Sequence, residues 1–226
     1  MLRLVVLAAG QASRMGRDKL ALPWGNSTVL GKVLETVFQT LDLVQSTLEP
    51  DRNRVELRVV TRKPIEAYLD GALISKFNSF GGTWLIFANP DSPRSLAESL
   101  RLGLQNLSPE ISGVAFLPGD QIGVTAKGLA QLMQIFQTEE PEFLLPCLGD
   151  MLGTPVFFQK KYVQELLELK NEQGGKTVLN KYPDLWRTYP VDEDFLCDLD
   201  TPEEYSELVQ QKLNIETSVG EYSYGR

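Results

Sequence analysis

The sequence predicts a three-layer α/β/α sandwich on a Rossmann-like, mostly parallel sheet. Two observations carry this. Short apolar or β-branched runs alternate along the chain with stretches of helical periodicity, and that alternation builds parallel sheets covered on both faces. The 226 residues are 42% hydrophobic and 23% charged, enough for one continuous core. The expected strands are Leu2–Ala8, Val55–Thr61, Thr83–Ala88, Gly113–Leu117 and Glu142–Pro146. The expected helices are Thr28–Leu41, Pro64–Lys76, Ser95–Asn106, Ala126–Gln137, Lys160–Leu169 and Glu203–Leu213. Gln45–Asn53 is polar and contains Pro50, so it reads as a surface loop. Residues 1–213 read as one domain and 214–226 as a C-terminal tail, with no internal repeat.

Composition removes several function classes. No apolar run approaches the ~20 residues that span a bilayer. The stretch from Leu4 to Ala9 is short for a signal peptide's core and reads as a buried strand. A net charge of -8 speaks against non-specific nucleic-acid binding, which needs a basic surface. Cys147 and Cys197 are far apart and form no zinc pattern, which suits a reducing cytoplasm. The chain contains no histidine, so mechanisms built on an imidazole base are excluded. Chemistry must come from carboxylates, Lys, Arg, hydroxyls, backbone amides or a bound ion.

In open α/β sheets ligands bind where the carboxyl ends of strands lead into helices. After the first strand comes Leu7-Ala8-Ala9-Gly10-Gln11-Ala12-Ser13-Arg14-Met15-Gly16-Arg17-Asp18-Lys19. Small residues let backbone amides approach a polyphosphate, and Arg14 and Lys19 add charge-assisted donors. The P-loop does not fit, because five residues separate Gly10 from Gly16 and Lys19 is not adjacent. Nor does the dinucleotide fingerprint, because position 12 is Ala.

This loop resembles the signature of the nucleotidyltransferase superfamily, Leu-Ala-Ala-Gly-x-x-x-Arg-Met-Gly-x-x-Lys. The close Arg14-to-Lys19 spacing is similar to the branch that attaches CMP or GMP to molybdopterin. The resemblance implies the nucleotide-diphospho-sugar transferase type of fold and an Mg²⁺-dependent reaction. It makes Leu7, Ala8, Ala9, Gly10, Arg14 and Lys19 nucleotide-binding residues, with Arg14 and Lys19 also catalytic. Ala9 is typical of the cytidylyltransferase side, where guanylyltransferases usually have Gly. A methyl there would take room that a purine needs.

Two acidic segments complete the pattern. Leu117-Pro118-Gly119-Asp120-Gln121-Ile122 is similar to the family's Leu-x-x-Asp-x-Pro, with Ile122 in place of Pro. A turn-forming Pro-Gly-Asp would explain these residues without chemistry. The resemblance makes Asp120 catalytic and a metal ligand. Asp198-Leu199-Asp200-Thr201-Pro202-Glu203-Glu204 resembles Asp-x-Asp-Thr-Pro-Glu-Asp. Thr201, Pro202 and Glu204 read as a helix start with a capping box. The aspartates lie outside that explanation. Two apart in extended chain, they share a face. By resemblance Asp200 is the second metal ligand, with Asp198 the runner-up.

On the acceptor side, Pro146 to Phe158 is similar to the family's Gly-x-x-Gly-x-Pro-Val-x-Phe loop. It makes Gly153, Thr154 and Pro155 acceptor-binding, with Thr154 where cytidylyltransferases have His. Asn171-Glu172-Gln173-Gly174-Gly175-Lys176 roughly matches the cytidylyltransferases' Gly-Asp-x-Gly-x-Arg, with Lys176 for Arg. The helix from Ser95 matches a base-facing segment at Ser99, Leu100, Gly103 and Leu104, which makes Ser99 nucleotide-binding. Ser95 and Leu96 replace Gly and Met.

The implied reaction is CMP transfer from CTP to a phosphorylated acceptor, molybdopterin, with release of pyrophosphate. The alternatives are GMP transfer from GTP, transfer to a sugar or alcohol phosphate, and a catalytically silent nucleotide-binding regulator. No nucleic-acid or membrane partner is expected.

Overall fold

The first strand, β1 (Leu2–Ala8), has the burial of a strand covered on both faces: Leu2 to Val6 are each at most 1% exposed. The structure, a computed structural model, describes residues 1–10, 18–47, 54–87 and 95–210. A short hairpin comes next, β2 (Pro23–Trp24) and β3 (Ser27–Thr28), and leads into α1 (Val29–Thr47). Then come β4 (Val55–Thr61), α2 (Gly71–Ser79), β5 (Thr83–Ile86), α3 (Leu96–Leu104), β6 (Gly113–Pro118) and α4 (Ala126–Glu139). The second half holds β7 (Phe143–Leu148), β8 (Met151–Leu152), β9 (Val156–Gln159), α5 (Val163–Leu167), α6 (Gly175–Leu179) and β10 (Trp186–Pro190). A last helix, α7, runs over 202–210.

Among the described residues eight strands form the main sheet, in the order β10-β7-β9-β6-β1-β4-β5, with β8 paired to β7. The pairs β1–β4, β1–β6, β4–β5 and β7–β10 are parallel. The pairs β6–β9, β7–β9 and β7–β8 are antiparallel.

The strand alternation divides the core in two. Leu4, Val6, Ala115, Leu117 and Phe157 face α1 and α4 through Leu34, Val37, Leu132 and Phe136. Val5, Val114, Phe116 and Phe158 face α3, α5 and α6 through Leu100, Leu104, Leu166 and Val178. These are the two outer layers expected from sequence.

Two strands match their expected residues in full, and three others shift at their ends, with Ala88 outside the described residues. Larger differences have local causes. Helix α1 continues to Thr47 and takes in the start of the expected loop, because Val44 still packs into the core at 2% exposure. The helix expected over Pro64–Lys76 is broken into a 3-10 turn, Ile65–Ala67, and α2. Asp70 restarts it by accepting from the Leu73 backbone N–H at 2.8 Å. The helix expected over Lys160–Leu169 likewise splits into a 3-10 turn and the five residues of α5. Helix α3 is set by a capping box between Ser95 and Glu98.

Strands β9 and β10 are both missing from the expected strands, and of the two β9 lies inside the sheet. Three of its four residues lie inside the glycine-containing segment that ends at Phe158, yet the strand pairs with β6 and β7 and fills the space between them. Four residues are too few for periodicity to separate strand from loop.

Candidate active site

The carboxyl ends of β1 and β6 lie side by side, with Leu7 paired to Pro118. At the end of β1, Ala8 and Ala9 are 2% and 3% exposed, and Gly10 is exposed. Among the described residues, a side chain at Gly10 would meet no atom within 4 Å, so the glycine leaves open approach to the backbone here. The Ala9 methyl is packed into the core on the α3 side. The steric expectation of a methyl crowding a purine therefore finds no support in this placement. Arg14 falls outside the described residues.

Asp18 organises the turn that carries Lys19. Its Oδ1 accepts from the Leu20 N–H at 3.2 Å and caps the 3-10 turn Lys19–Ala21. Its Oδ2 accepts from the Tyr68 hydroxyl at 3.1 Å and pairs with Lys63 at 2.7 Å. Lys19 is thereby presented from an anchored turn. Its Nζ donates to the Leu199 carbonyl at 2.6 Å, pairs with Asp120, and pairs with Asp200 Oδ1 at 3.3 Å. The side chains of Lys19 and Asp120 are each 16% exposed, while Asp200 is 49% exposed. Burial opposes the lysine's charge, but Asp120 and then Asp200 outweigh it and hold the ammonium above the ordinary lysine value.

Asp198 and Asp200 flank Leu199, which is fully buried and fixes the segment to the core. Desolvation first, then the charges of Asp120 and Asp200, push the Asp198 carboxyl up, with Lys19 opposing. Three carboxylates thus share one region, with a cation bonded to two of them. The expected capping box after Asp200 forms: Glu204 Oε2 accepts from the Asp200 and Thr201 N–H groups at 2.8 and 2.9 Å. The Thr201 hydroxyl in turn accepts from the Glu204 N–H at 3.2 Å.

Asp120 and Asp200 are hard oxygen donors that converge on one positive charge, the Lys19 ammonium, and that donor set suits Mg²⁺. Among the described residues no three or more His, Cys, Asp or Glu side chains gather in a metal-binding arrangement. The protein would then supply two carboxylates and leave other positions to water and phosphate oxygens, as Mg²⁺ sites commonly do.

Beside this charged centre a cleft of about 570 Å³ crosses the sheet from Leu7 of β1, over β6 and β9, to Trp186 of β10. Gln121 and Asp198 stand on its lining, as do Gly153 and Thr154. Ser99, expected to face the nucleotide, is 5% exposed and does not line the cleft. Leu96 and Leu100 of the same helix do.

Gln121 was not singled out in the sequence, and it joins the site's loops. It is 2% exposed. Its amide nitrogen donates to the carbonyls of Thr154 at 2.7 Å and Phe195 at 3.3 Å, and its oxygen accepts from the Thr154 hydroxyl. The loop bearing Asp120 is thus tied to the Gly153–Thr154 loop and to the segment leading to Asp200. The adjacent turn runs without proline: the Ile122 N–H bonds the Asp120 carbonyl at 3.0 Å and the Gly123 N–H bonds the Cys197 carbonyl at 3.1 Å. A side chain at Gly123 would collide with the backbone at Asp194, so glycine is required where these segments meet. A polar residue directly after the acidic one, in an otherwise apolar stretch, is the signal that could have revealed Gln121.

A family model described as a MobA-like NTP transferase domain matches residues 4–185. No curated protein sequence matches the chain. Among solved structures the chain is similar to Rv0371c of Mycobacterium tuberculosis H37Rv, at 24% identity and a TM-score of 0.69, over 92% of this chain and 98% of that one. Rv0371c has also been solved in complex with manganese. A nucleotidyl transferase from Methanothermobacter thermautotroptrophicus (Mth528) matches at 18% identity and a TM-score of 0.66, over 95% and 99% of the two chains. A 4-diphosphocytidyl-2C-methyl-D-erythritol synthase from Anaerococcus prevotii matches at 14% identity and a TM-score of 0.64, over 94% and 96%. At these identities the structures speak to the fold. None of the described helices is long and apolar enough to cross a membrane.

Proposed function

Because the chain belongs to the MobA-like NTP transferase domain family, we propose that it transfers CMP from CTP to a small phosphorylated acceptor and releases pyrophosphate. The observation that carries this reading is the junction of Lys19 with Asp120 and Asp200 beside the open end of β1. Those are the groups a nucleotidyl transfer centre needs, and they come from three separate segments of the chain. The acceptor named by the family resemblance is molybdopterin, and the base preference for cytosine likewise rests on the resemblance.

The chemistry needs no general base. A phosphate monoester has a second pKa near ~6, so at neutral pH its oxygen is already a nucleophile. That oxygen attacks the α-phosphorus in line, the bond to the β-phosphate oxygen breaks, and pyrophosphate leaves with the electron pair. The protein's part is positioning and charge stabilisation. Lys19 would move from its carboxylate partners to the phosphate oxygens, and its raised pKa keeps it a cation throughout the neutral range. Asp120 and Asp200 would hold Mg²⁺, which would neutralise phosphate charge when bound. The manganese complex of Rv0371c supports a divalent-cation site in this fold. Gln121 keeps the acceptor loop in register with Asp120.

The test is pyrophosphate release from CTP and GTP, with molybdopterin and a panel of other phosphate esters, with and without Mg²⁺. CTP turnover that needs both Mg²⁺ and acceptor is expected. Faster turnover of GTP would replace cytidylyl by guanylyl transfer. Failure to release pyrophosphate with any acceptor, while nucleotide still binds, would make the chain a nucleotide-binding regulator.

A further inference from the structure

The wall of the cleft indicates what the acceptor is made of. Leaving the charged centre, it is formed by Phe116, Leu145, Val156, Phe158, Leu179 and Trp186, from four strands and a helix. Six large hydrophobic residues are exposed among the described residues, and three of them, Leu96, Met151 and Leu152, line this one cleft. Scattered apolar exposure needs no explanation, but its concentration at one concave site marks a surface meant to be covered. Met151 is the most exposed of the six at 54%, on the two-residue strand β8, where its flexible thioether can adapt to a bound shape.

Three of the polar side chains on the lining are engaged with partners inside the protein. The Gln121 amide and the Thr154 hydroxyl bond each other, and the amide also bonds the Phe195 carbonyl. The Trp186 indole N–H donates to the Leu179 carbonyl at 3.0 Å, so that ring offers its face and not its donor. Lys176 and Asn180 contribute polar side chains, and Asp198 stands at the charged end. A polyol pressed into such a wall would lose water from its hydroxyls and find few partners, a cost that discriminates strongly against it.

We infer that the acceptor is a phosphate ester whose body is apolar over most of its surface, and that sugar phosphates are poor substrates. This rests on the nucleotidyl-transfer reading. The phosphate lies at the end near Lys19 and Asp120 and the body extends over β6 and β9 towards Trp186. Molybdopterin, whose pterin ring carries amino, lactam and N–H groups, lies outside this class, so the inference departs from the acceptor that the family resemblance names. At about 570 Å³ the cleft holds a body on the order of ten carbons together with its phosphate.

Calorimetric titration of the full-length protein tests this, with Mg²⁺ and an unreactive α,β-methylene analogue of CTP present. The probes are a prenyl or naphthylalkyl monophosphate and a hexose or pentitol phosphate. The apolar ester should bind at least tenfold more tightly. Joint substitution of Met151→Ser and Leu152→Ser, two exposed positions, should weaken the apolar ester about tenfold and leave CTP-analogue affinity unchanged. Equal or tighter binding of the sugar phosphate, binding of neither ester, or indifference to the double substitution would overturn the inference. Pyrophosphate release with authentic CTP is measured in parallel. Tight binding of the apolar ester without release would leave the inference standing and remove the nucleotidyl-transfer reading.

Discussion

Two ion pairs sit at opposite ends of the central strands, and they serve opposite purposes. At the amino end, the Arg3 guanidinium is fully buried. It bonds both oxygens of Glu56 at 2.9 and 3.0 Å and the carbonyls of Gly103, Gln105 and Asn106 at 2.8 to 3.2 Å. Arg58 joins the network through Glu56 at 2.8 Å and through the same Gln105 carbonyl. These bonds close the carboxyl end of α3 onto β1 and β4. At the other end, Lys19 meets one carbonyl and two carboxylates, one of which is half exposed. The first network is enclosed and saturated with partners. The second is open to the cleft, and its carboxylates crowd one another. Burial and satisfaction mark a structural ion pair, while unbalanced charge beside open space marks a functional one.

Substitutions should separate the two ends cleanly. The largest effect is expected at the open end: Asp120→Asn and Lys19→Ala should each lower turnover by roughly 10²–10³. Neither should change the unfolding free energy by more than about 1 kcal/mol, because these pairs are partly exposed. For Lys19→Ala the loss should appear in kcat more than in CTP affinity, since charge on the transferring phosphate grows in the transition state. Normal turnover at saturating CTP would restrict Lys19 to ground-state binding.

At the enclosed end the ranking reverses. Arg3→Met should destabilise by about 3 kcal/mol, because it strips donors from three carbonyls and from a carboxylate in a buried setting. Denaturant unfolding would show this as a lower midpoint, with turnover per folded molecule unchanged. A large catalytic loss in folded Arg3→Met protein would erase the distinction between the two ends.

Gln121→Leu lies between the two. It keeps volume but removes the bonds that tie the Thr154 loop to the loop bearing Asp120, leaving the Thr154 and Phe195 carbonyls without that donor. It should cost about 1–3 kcal/mol of stability and raise the acceptor's KM well before it affects CTP affinity. The smallest effect is expected at Asp198. Its raised pKa means that the folded state disfavours its charge, so ionisation lowers stability as pH rises past the ordinary carboxylate range. Asp198→Asn should therefore stabilise the Mg²⁺-free protein at neutral pH, by less than ~1 kcal/mol, in a thermal melt. A lower melting temperature would mean that Asp198 makes bonds that outweigh the repulsion.

The charged end was largely legible in the sequence. Short motifs at strand ends carry their chemistry locally, so Lys19, Asp120 and the Asp198–Asp200 segment could each be read before anything placed them together. The capping box at Thr201 is local geometry as well, and it reappears in the structure. What was not legible depends on partners distant in sequence. Strand β9 is defined by its neighbours β6 and β7, and the Gln121 bonds reach 33 and 74 residues away. Ser99 matched a motif, but which side of α3 faces the cleft is decided by packing on β1 and β4, and the cleft received Leu96 and Leu100. Arg3 has no local signature, because a lone arginine in an apolar strand finds its partners only through the fold. The apolar wall of the cleft was hidden for the same reason, since its residues read as ordinary core.

Lys19, Asp120 and Asp200 are proposed to form one site for a nucleoside triphosphate with Mg²⁺. The most direct measurement is the thermal shift produced by CTP with and without Mg²⁺, in the wild-type protein and in Asp120→Asn. At 100 times Kd a ligand stabilises by about 2.7 kcal/mol, which a melt resolves easily. The predicted result is a shift that needs Mg²⁺ in the wild type and is lost in a variant that melts cooperatively near the wild-type temperature. A shift of equal size in Asp120→Asn, or one indifferent to Mg²⁺, would contradict a shared site.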